Sequence, residues 1–377
     1  MEVMQEALEL KSQGIDVIDL GPGEPDFPTP NLIKQAGIDA VTSDFTKYTP
    51  GSGIPELRDG VASDFNRKWG THFTRSNVII TCGAKHAIFN VCMSVFEEGD
   101  EVLNPYPYWV TFPEAVKMTG AQVVGVETTE REGFVLTTSA VKDKLSDDTR
   151  GLIVNTPNNP TGAVIPRGSL VELVELTRSS GIFLLFDETY EHLTYDGREH
   201  TSLAACVDPS DTNFAVIGSF SKTYAMTGWR VGYCVGPVEL IEKMGQLQSH
   251  QTGNPTSISQ KAAVKALACG AQEVEAMRLK YAKRRGLVLE ELAQIPGFRC
   301  APPFGAFYAF PNVSEAMKTM GIGTSQEFSK FLIQQARVAT VPGSAFGIEG
   351  YIRISYATSE EQLRKGLARI KQAVIGN

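Results

Sequence analysis

The chain has 377 residues, of which 42% are hydrophobic and 21% charged, a composition typical of a globular protein with a large core or two domains. A formal net charge of −8 argues against nucleic acid or an anionic membrane as a partner, because both bind clustered cations. Residues 1–20 lack the basic start and apolar run of a signal peptide, and no apolar stretch approaches the roughly 20 residues that span a bilayer. The six cysteines form no CxxC pair, which predicts reduced thiols, no metal site and a cytoplasmic location.

Short apolar runs alternate with helical patterning along the first two thirds of the chain. The runs are Val78–Thr81, Val102–Asn104, Val123–Val126, Leu152–Asn155, Phe183–Asp187, Ala215–Ser219 and Gly232–Val235. Helical stretches between them include Lys85–Phe96, Gly168–Ser180 and Val238–Ser249. Continuous apolar runs are typical of strands buried on both faces, so the alternation predicts an α/β fold with a mostly parallel central sheet flanked by helices.

The pattern changes after about Ser257. One long helical stretch is predicted to run to about Gln294, and Ile295-Pro-Gly297 then breaks the chain. Further on, the segments Ala306–Phe310 and Tyr351–Tyr356 are strand-like, and helices are predicted near Ser325–Gln335 and from Glu360. This mixture predicts a smaller α+β domain with Gly297 onward as its body.

Polar groups follow four of the predicted strands. One strand ends in Asp187, and another ends in Ser219-Phe-Ser-Lys222. A third leads into Asn155 and a turn-rich segment that ends at Gly162, and the fourth leads into Thr81-Cys-Gly-Ala-Lys85 just before a helix. Because ligand sites in open α/β sheets form at the carboxyl ends of strands, we expect these groups to lie close together.

The groups suit a pyridine phosphate aldehyde such as pyridoxal 5′-phosphate (PLP). A lysine forms the Schiff base, and a carboxylate keeps the ring nitrogen protonated so that the ring accepts electrons from the substrate Cα. Backbone amides at the start of a helix hold a phosphate, and Arg230, eight residues after Lys222, would be able to add a bidentate contact.

The segment Ser219-Phe-Ser-Lys-Thr-Tyr-Ala-Met-Thr-Gly-Trp-Arg230 resembles the PLP-lysine signature of the class I aminotransferases of fold type I, in the aspartate aminotransferase family. Other family motifs follow in order: Gly23-Glu-Pro-Asp-Phe27, Tyr48-Thr-Pro-Gly-Ser-Gly-Ile-Pro-Glu-Leu-Arg58, Asn159-Pro-Thr-Gly162, Asp187-Glu-Thr-Tyr190 and Arg353-Ile-Ser-Tyr-Ala-Thr358. The resemblance implies a large PLP-binding domain over residues 31–270 and a small domain formed by both chain ends. Residues 1–30 would join that small domain, and residues 271–377 would supply a long connecting helix and its C-terminal body.

The resemblance also implies catalytic roles. Lys222 would form the Schiff base with PLP and move the proton at Cα, Asp187 would pair with the ring nitrogen, and Tyr190 would hydrogen-bond the 3′-oxygen together with Asn159. Trp109 would stack on the ring, with Tyr108 as the neighbouring candidate.

Phosphate and substrate contacts follow in the same way. The implied phosphate ligands are Gly83, Ala84, Ser219 and Arg230, with Tyr48 reaching in from the other subunit of a homodimer with shared sites. Arg353 would bind the substrate α-carboxylate, helped by Asn159 and by the backbone of Gly23.

Substrate choice depends on two departures from the family pattern. No arginine lies between Arg230 and Arg278, so the arginine that binds the distal carboxylate in some aspartate aminotransferases is missing. In one branch of the family a lysine at the position of Lys85 binds that carboxylate, and a phosphate contact or a solvated side chain are the alternatives. Gly23 also comes early for a complete N-terminal arm over the partner subunit, which leaves a truncated arm and a different substrate closure both open.

The predicted function is transfer of an amino group between an L-amino acid, best aspartate or glutamate, and a 2-oxo acid. Three alternatives stay open: an aminotransferase for aromatic or other oxo acids, a PLP-dependent C–S lyase, and a non-catalytic PLP-sensing domain. The last is disfavoured because residues 1–20 leave no room for a DNA-binding arm. A nicotinamide enzyme is disfavoured because no GxGxxG opens a βαβ unit.

Overall fold

The computed structural model describes residues 2–208 and 210–376, and for residues 2–4 only the backbone. Its α-helices are α1 Glu2–Ser12, α2 Asn31–Thr42, α3 Pro55–Trp69, α4 Ala84–Val95, α5 Thr111–Lys117, α6 Thr138–Lys142, α7 Arg167–Ser180, α8 Phe220–Thr223, α9 Val238–Gln251, α10 Ser257–Cys269, α11 Ala271–Leu292, α12 Ser314–Thr319, α13 Ser325–Phe331 and α14 Glu360–Ile375. Its strands are β1 Ile18–Asp19, β2 Val78–Thr81, β3 Glu101–Tyr106, β4 Gln122–Glu127, β5 Thr149–Asn155, β6 Phe183–Asp187, β7 Phe214–Ser219, β8 Gly232–Val235, β9 Tyr308–Ala309, β10 Val338–Ala339, β11 Val341–Pro342 and β12 Ile352–Ser355.

All seven predicted apolar runs form one sheet. The strand order is β2-β8-β7-β6-β5-β3-β4. Every neighbouring pair is parallel except the two pairs made by β8, which is antiparallel to both β2 and β7. The α/β fold with a mostly parallel central sheet is therefore confirmed.

The sheet is buried on both faces, as its continuous apolar strands require. Along β6, Leu184 and Phe186 join one hydrophobic cluster, whereas Phe183 and Leu185 join another on the opposite face. Helix α3 contributes Leu57 and Val61 to the first cluster, and helices α4, α5 and α9 contribute to the second. Because successive side chains of a strand point to opposite faces, both layers of helices are needed to cover the sheet.

A second group of elements follows α11. Strands β11, β12 and β9 form a three-stranded sheet, and β1 pairs in parallel with β10, so that a strand from the N-terminal region completes the C-terminal part. A separate hydrophobic cluster joins Ile18 and Leu20 to side chains of α11 and α14. The strand β1 was not among the predicted ones, because two residues carry too little periodicity to be recognised.

One helix prediction is wrong in its continuity. The stretch predicted as a single helix from about Ser257 to Gln294 is two helices, α10 and α11, separated at Gly270. A Cβ at Gly270 would lie 2.3 Å from the ring of Tyr224, so the residue allows a close approach between the helix junction and that ring.

The described residues contain no helix that is both long and apolar enough to cross a membrane. They also contain no cluster of metal-ligating side chains, and the six cysteines, all within the described residues, are unpaired.

Candidate active site

The carboxyl ends of three neighbouring strands bring the candidate residues together. Asn155 at the end of β5 pairs in register with Asp187 at the end of β6, and β7 beside them ends at Ser219. Strand β8 connects this edge to β2, because Gly232 pairs with both Ser219 and Thr81. The segment between β2 and α4 therefore lies beside the other three strand ends.

Lys222 lies on the single-turn helix α8 directly after β7. The hydroxyl of Ser219 begins this helix by accepting from the backbone N–H of Ser221 at 3.1 Å. The Lys222 ammonium donates to the carbonyl oxygen of Gly23 at 2.5 Å. Burial lowers the pKa of Lys222 to about 8, and the positive charges of Arg230 and Arg353 act in the same direction.

Asp187 is a buried carboxylate, 3% exposed, and it lines one cavity together with Lys222. Its Oδ1 accepts from the backbone N–H of Thr189 at 3.0 Å. Burial raises the pKa of Asp187 to about 6, since a carboxylate loses its hydration there, and the nearby charge of Lys222 acts in the opposite direction. A cation placed beside this carboxylate would be strongly stabilised.

Hydrogen-bond donors that suit an anion are grouped at the start of α4. Gly83 has φ of 89° and precedes the first helical residue, Ala84, so that the first amides of the helix lack partners within the helix. A Cβ at Gly83 would lie 2.4 Å from a guanidinium nitrogen of Arg230, which therefore packs directly on the glycine. Arg230 itself is anchored by donating to the carbonyl oxygens of Thr227 at 2.8 Å and Cys82 at 3.2 Å. Helix amides and a guanidinium together suit a phosphate.

Arg353 on β12 reaches the cavity from the second group of elements. Its Nη1 donates to Oδ1 of Asn159 at 2.9 Å, and its Nη2 donates to the carbonyl oxygen of Gly21 at 2.6 Å. Its buried Nε has no hydrogen-bond partner among the described residues. The guanidinium lies over the ring of Tyr308, with 4.4 Å between Cζ and the ring centroid. A buried guanidinium with unused donor capacity is suited to a carboxylate.

Two further predicted residues lie on another wall of the cavity. The ammonium of Lys85 is 5.1 Å from the centroid of the Trp109 indole, and both side chains line the cavity. Tyr108 does not: it packs against Gly347 and lines a separate, small cavity. Of the two aromatic candidates, Trp109 is therefore the one in contact with the site.

The cavity has a volume of about 260 Å³. It is lined by Gly23, Ala84, Lys85, Trp109, Asn155, Asn159, Asp187, Thr189, Tyr190, Ser219, Ser221, Lys222, Arg230, Tyr308 and Arg353. Gly83 lies behind Arg230 at its edge. Tyr48 is 94% exposed on the surface and does not line the cavity of its own chain.

Three lining residues were not singled out in the sequence analysis: Thr189, Ser221 and Tyr308. Asn155, the last residue of β5, was expected near the site but was given no role. Thr189 and Ser221 follow the ends of β6 and β7 and adjoin residues that were singled out, so the strand-end rule could have included them. Tyr308 is different, because it lies in a strand-like segment where an aromatic residue is expected to pack in a core. Its hydroxyl oxygen is 2.8 Å from that of Tyr190.

Comparisons with known proteins identify the family to which the chain belongs. Residues 15–370 match the family described as aminotransferase class I and II. The chain is 42% identical over 370 residues to the aspartate aminotransferase of Geobacillus stearothermophilus, covering 98% of this chain and 94% of that protein. It is 40% identical to the probable aspartate/prephenate aminotransferase of Aquifex aeolicus, covering 99% and 95% of the two chains.

Solved structures give the same result. The aspartate aminotransferase from Thermus thermophilus with maleate superposes with a TM-score of 0.93 at 40% identity, covering 99% of this chain and 95% of that one. The aspartate aminotransferase from Rhizobium meliloti superposes with a TM-score of 0.94 at 37% identity, with the same coverage. The family match and these relatives, which align with nearly the whole chain, show that the chain belongs to the class I and II aminotransferase family, in its aspartate aminotransferase branch, and is an aminotransferase.

Proposed function

We propose that this aminotransferase binds PLP covalently through Lys222 and transfers amino groups between an acidic amino acid, aspartate or glutamate, and a 2-oxo acid. The observation that carries the proposal is one cavity that holds a lysine with a pKa of about 8, a buried carboxylate and an anion site at the start of α4. PLP has an aldehyde, a ring nitrogen and a phosphate, so each of its three polar ends has a matching partner.

The residues present fit the cofactor in charge and shape. A Cβ at Gly83 would clash with Arg230, so the missing side chain lets the guanidinium lie beside the first amides of α4. Ser219 lines the same cavity, and these groups together would hold the phosphate. Asp187 would pair with the ring nitrogen, Trp109 would cover the ring, and Tyr190 and Asn159 would bond its 3′-oxygen. When bound, PLP supplies a cationic ring that accepts electrons from the substrate Cα.

Lys222 would move the proton at the substrate Cα. Burial lowers the pKa of its ammonium to about 8, so about a tenth of the side chains are free amine at pH 7, compared with less than about 0.1% at the ordinary lysine pKa of about 10.4. The carbonyl oxygen of Gly23, which accepts from Lys222 at 2.5 Å, orients the amine within the cavity. A base held in position and tuned near the working pH is what efficient proton transfer requires.

Arg353 would bind the substrate α-carboxylate. Two of its nitrogens are held by Asn159 and by the Gly21 carbonyl, and its guanidinium is buried, so little side-chain entropy is lost when a carboxylate arrives. The clamp would orient the Cα of every amino acid substrate in the same way.

Lys85 would bind the distal carboxylate of an acidic substrate. Its ammonium lies over Trp109 on the cavity wall, and the relatives named above are called aspartate or probable aspartate/prephenate aminotransferases. A single cation of this kind would favour dicarboxylic substrates over apolar ones.

We also propose that the enzyme is a cytoplasmic homodimer. Tyr48 is 94% exposed, and α2 nearby in sequence leaves Leu32, Ile38 and Val41 about half exposed, which suits a surface that a second copy covers. Tyr48 would then reach the phosphate of the partner chain. Co-expression of Tyr48→Ala chains with Lys222→Ala chains would regain activity in mixed dimers, because one of their two sites is intact. Failure to regain it would refute shared sites.

We propose a division into two domains. Residues 31–270 would form the large PLP-binding domain, and residues 1–30 and 271–377 would form the small domain. The hydrophobic cluster that joins Ile18 and Leu20 to the C-terminal part supports this division, and Tyr190, Leu193 and Tyr195 of the large domain pack into the same cluster.

The most informative test mixes purified, PLP-loaded protein with a panel of amino acids and follows the absorption of the cofactor as it takes up the amino group. Aspartate and glutamate are expected to convert it fastest, and a 2-oxo acid is expected to reverse the change. Lys222→Ala is expected to lose the band of the covalently bound cofactor and all turnover. Full activity in that variant, or elimination products without amino transfer, would overturn the proposal.

A further inference from the structure

Tyr308 lies where three candidate functional residues from distant parts of the chain meet. Its hydroxyl oxygen is 2.8 Å from that of Tyr190, and its ring lies under the guanidinium of Arg353 with 4.4 Å from centroid to Cζ. The backbone of Gly23, whose carbonyl oxygen accepts from Lys222, is so close that a Cβ there would lie 2.7 Å from the Tyr308 hydroxyl. The side chain is fully buried, so these contacts are made without competition from bulk solvent.

A count of hydrogens fixes the direction of the bond between the two hydroxyls. Each phenol has one hydrogen to donate. In the proposed function, Tyr190 gives its hydrogen to the 3′-oxygen of the cofactor. The 2.8 Å contact can then be a hydrogen bond only if Tyr308 donates and Tyr190 accepts.

We propose that Tyr308 is a positioning residue with two parts. Its hydroxyl donates to Tyr190 and thereby directs the Tyr190 hydrogen into the cavity, and its ring fixes the plane of the Arg353 guanidinium. The proposal rests on the proposed function, because it assigns the cofactor to Tyr190 and the substrate carboxylate to Arg353.

The surroundings keep both phenols neutral. The titratable and charged groups that face the pair are Arg353 on β12, Asp187 at the end of β6 and Tyr281 on α11. Burial is the main cause that raises the pKa of both Tyr190 and Tyr308. Both therefore remain donors near neutral pH, and donation from Tyr308 polarises the Tyr190 hydroxyl and strengthens its bond to an anionic oxygen.

The ring has a separate effect on the carboxylate clamp. Arg353 also lies near the ring of Phe346, 5.1 Å from its centroid, and two of its nitrogens donate to protein oxygens. Contact with the face of an aromatic ring restricts the guanidinium to a plane parallel to that face and stabilises its charge in the absence of water. Removal of the ring would release this plane.

Two variants test the roles of the Tyr308 hydroxyl and of the Tyr308 ring separately. Tyr308→Phe removes the hydroxyl and keeps the ring, whereas Tyr308→Met removes both and fills the space with a flexible side chain. In each PLP-loaded protein, without substrate, the absorption of the bound cofactor is followed as the pH is varied. The pKa of the ionisation that changes this absorption is called the band pKa. The dissociation constant of maleate, a dicarboxylate without an amino group, is measured from the same absorption. Tyr356→Phe is the matched control, because its buried hydroxyl donates to the carbonyl of Ala306 at 3.2 Å in the same hydrophobic cluster and outside the cavity lining.

In Tyr308→Phe the band pKa is expected to rise by about 0.2–0.7. The variant would lose the roughly 10–30% by which donation from Tyr308 strengthens the charge-assisted hydrogen bond from Tyr190 to the anionic 3′-oxygen, so the deprotonated cofactor would be less stabilised. The maleate dissociation constant of Tyr308→Phe should stay within about twofold, since a cation–π contact depends on the ring face. The methionine variant should show the same shift and bind maleate about 5- to 30-fold more weakly, the range of a desolvated cation–π contact.

A band pKa in Tyr308→Phe that equals the wild-type value, or that matches the value in Tyr356→Phe, would overturn the hydroxyl part. Equal maleate binding in the two Tyr308 variants would overturn the ring part, and Tyr308→Leu replaces the methionine variant if that one does not fold. A wild-type protein without any titrating cofactor band would instead refute the proposed function itself.

Discussion

Replacing Asp187 by asparagine is expected to stabilise the cofactor-free protein above pH 5 and to weaken PLP binding in the same molecule. Asp187 is buried and its pKa in the folded protein is about 6, whereas an aspartate in an unfolded chain has a pKa of roughly 3.9. The Asp187 carboxyl therefore binds its proton more tightly in the folded protein than in the unfolded chain. The stabilisation from this carboxyl is complete below about pH 4 and is lost as the pH rises through 6.

The size of the loss follows from the two pKa values. A difference of about two pH units corresponds to about 3 kcal/mol of unfolding free energy, of which about 1.4 kcal/mol is lost between pH 5 and pH 8. Asparagine does not titrate and can still accept from the backbone N–H of Thr189. The advantage of Asp187→Asn over wild type should therefore grow by about 1.4 kcal/mol over that pH range.

Binding of the cofactor should change in the opposite direction. Removal of one partner of a buried charge pair costs about 3–5 kcal/mol, which corresponds to a PLP dissociation constant larger by a factor of roughly 10² to 5 × 10³. Urea unfolding of the cofactor-free proteins at pH 5, 6, 7 and 8 measures the first effect, and absorption titration with PLP measures the second. Asp147→Asn, at an exposed position, is the control. A stability difference that does not change with pH would refute the argument from burial, and unchanged PLP affinity would refute the pairing.

Three further perturbations test other parts of the site. The cofactor-free protein should capture small aldehydes at Lys222 with a midpoint near pH 8, and a midpoint near 10 would contradict the effect of burial on the pKa of this amine. Lys85→Ala should raise KM for aspartate about tenfold or more, as expected for a lost hydrogen bond to a charged group, and leave phenylalanine nearly unchanged; equal losses for both would indicate a phosphate contact instead. His200→Ala should lower the unfolding free energy by about 1–3 kcal/mol, because Glu188 is buried and its carboxyl loses the hydrogen bond that it shares with His200 at 3.1 Å. Adding Glu188→Gln should restore part of that loss, and equal stability of the single and double variants would refute the idea that the loss comes from an unpartnered buried carboxyl.

The secondary structure of the large sheet was predictable because it is encoded locally. Seven continuous apolar runs became seven strands, and the groups at their ends, such as Asp187 and Lys222, lie in one cavity. The strand-end rule works because parallel strands share one direction, so the residues that follow them meet at one edge regardless of sequence distance. The break at Gly270 was not predicted, because a lone glycine inside helical patterning gives no clear stop.

The contacts that hold the site were not predictable, because they join residues far apart in the chain. Arg353 donates to Gly21 across 332 positions, and Lys222 donates to Gly23 across 199. Backbone carbonyls carry no signature in a sequence, so nothing marked these two as partners. Tyr308 was missed for a related reason, since an aromatic residue in a buried strand has the same pattern whether its hydroxyl reaches a core or a cavity.

By itself, the sequence determined the class of fold, the position of each strand end and, through its resemblance to a family, the kind of reaction. Short-range patterns are sufficient for these, because burial on two faces and helix periodicity are repeated every few residues. Only the tertiary structure decided which hydroxyls and carbonyls surround Lys222 and Arg353, and that the pKa values of Lys222 and Asp187 move towards neutrality. Those properties depend on desolvation and on distances of a few ångströms between segments that meet only after folding.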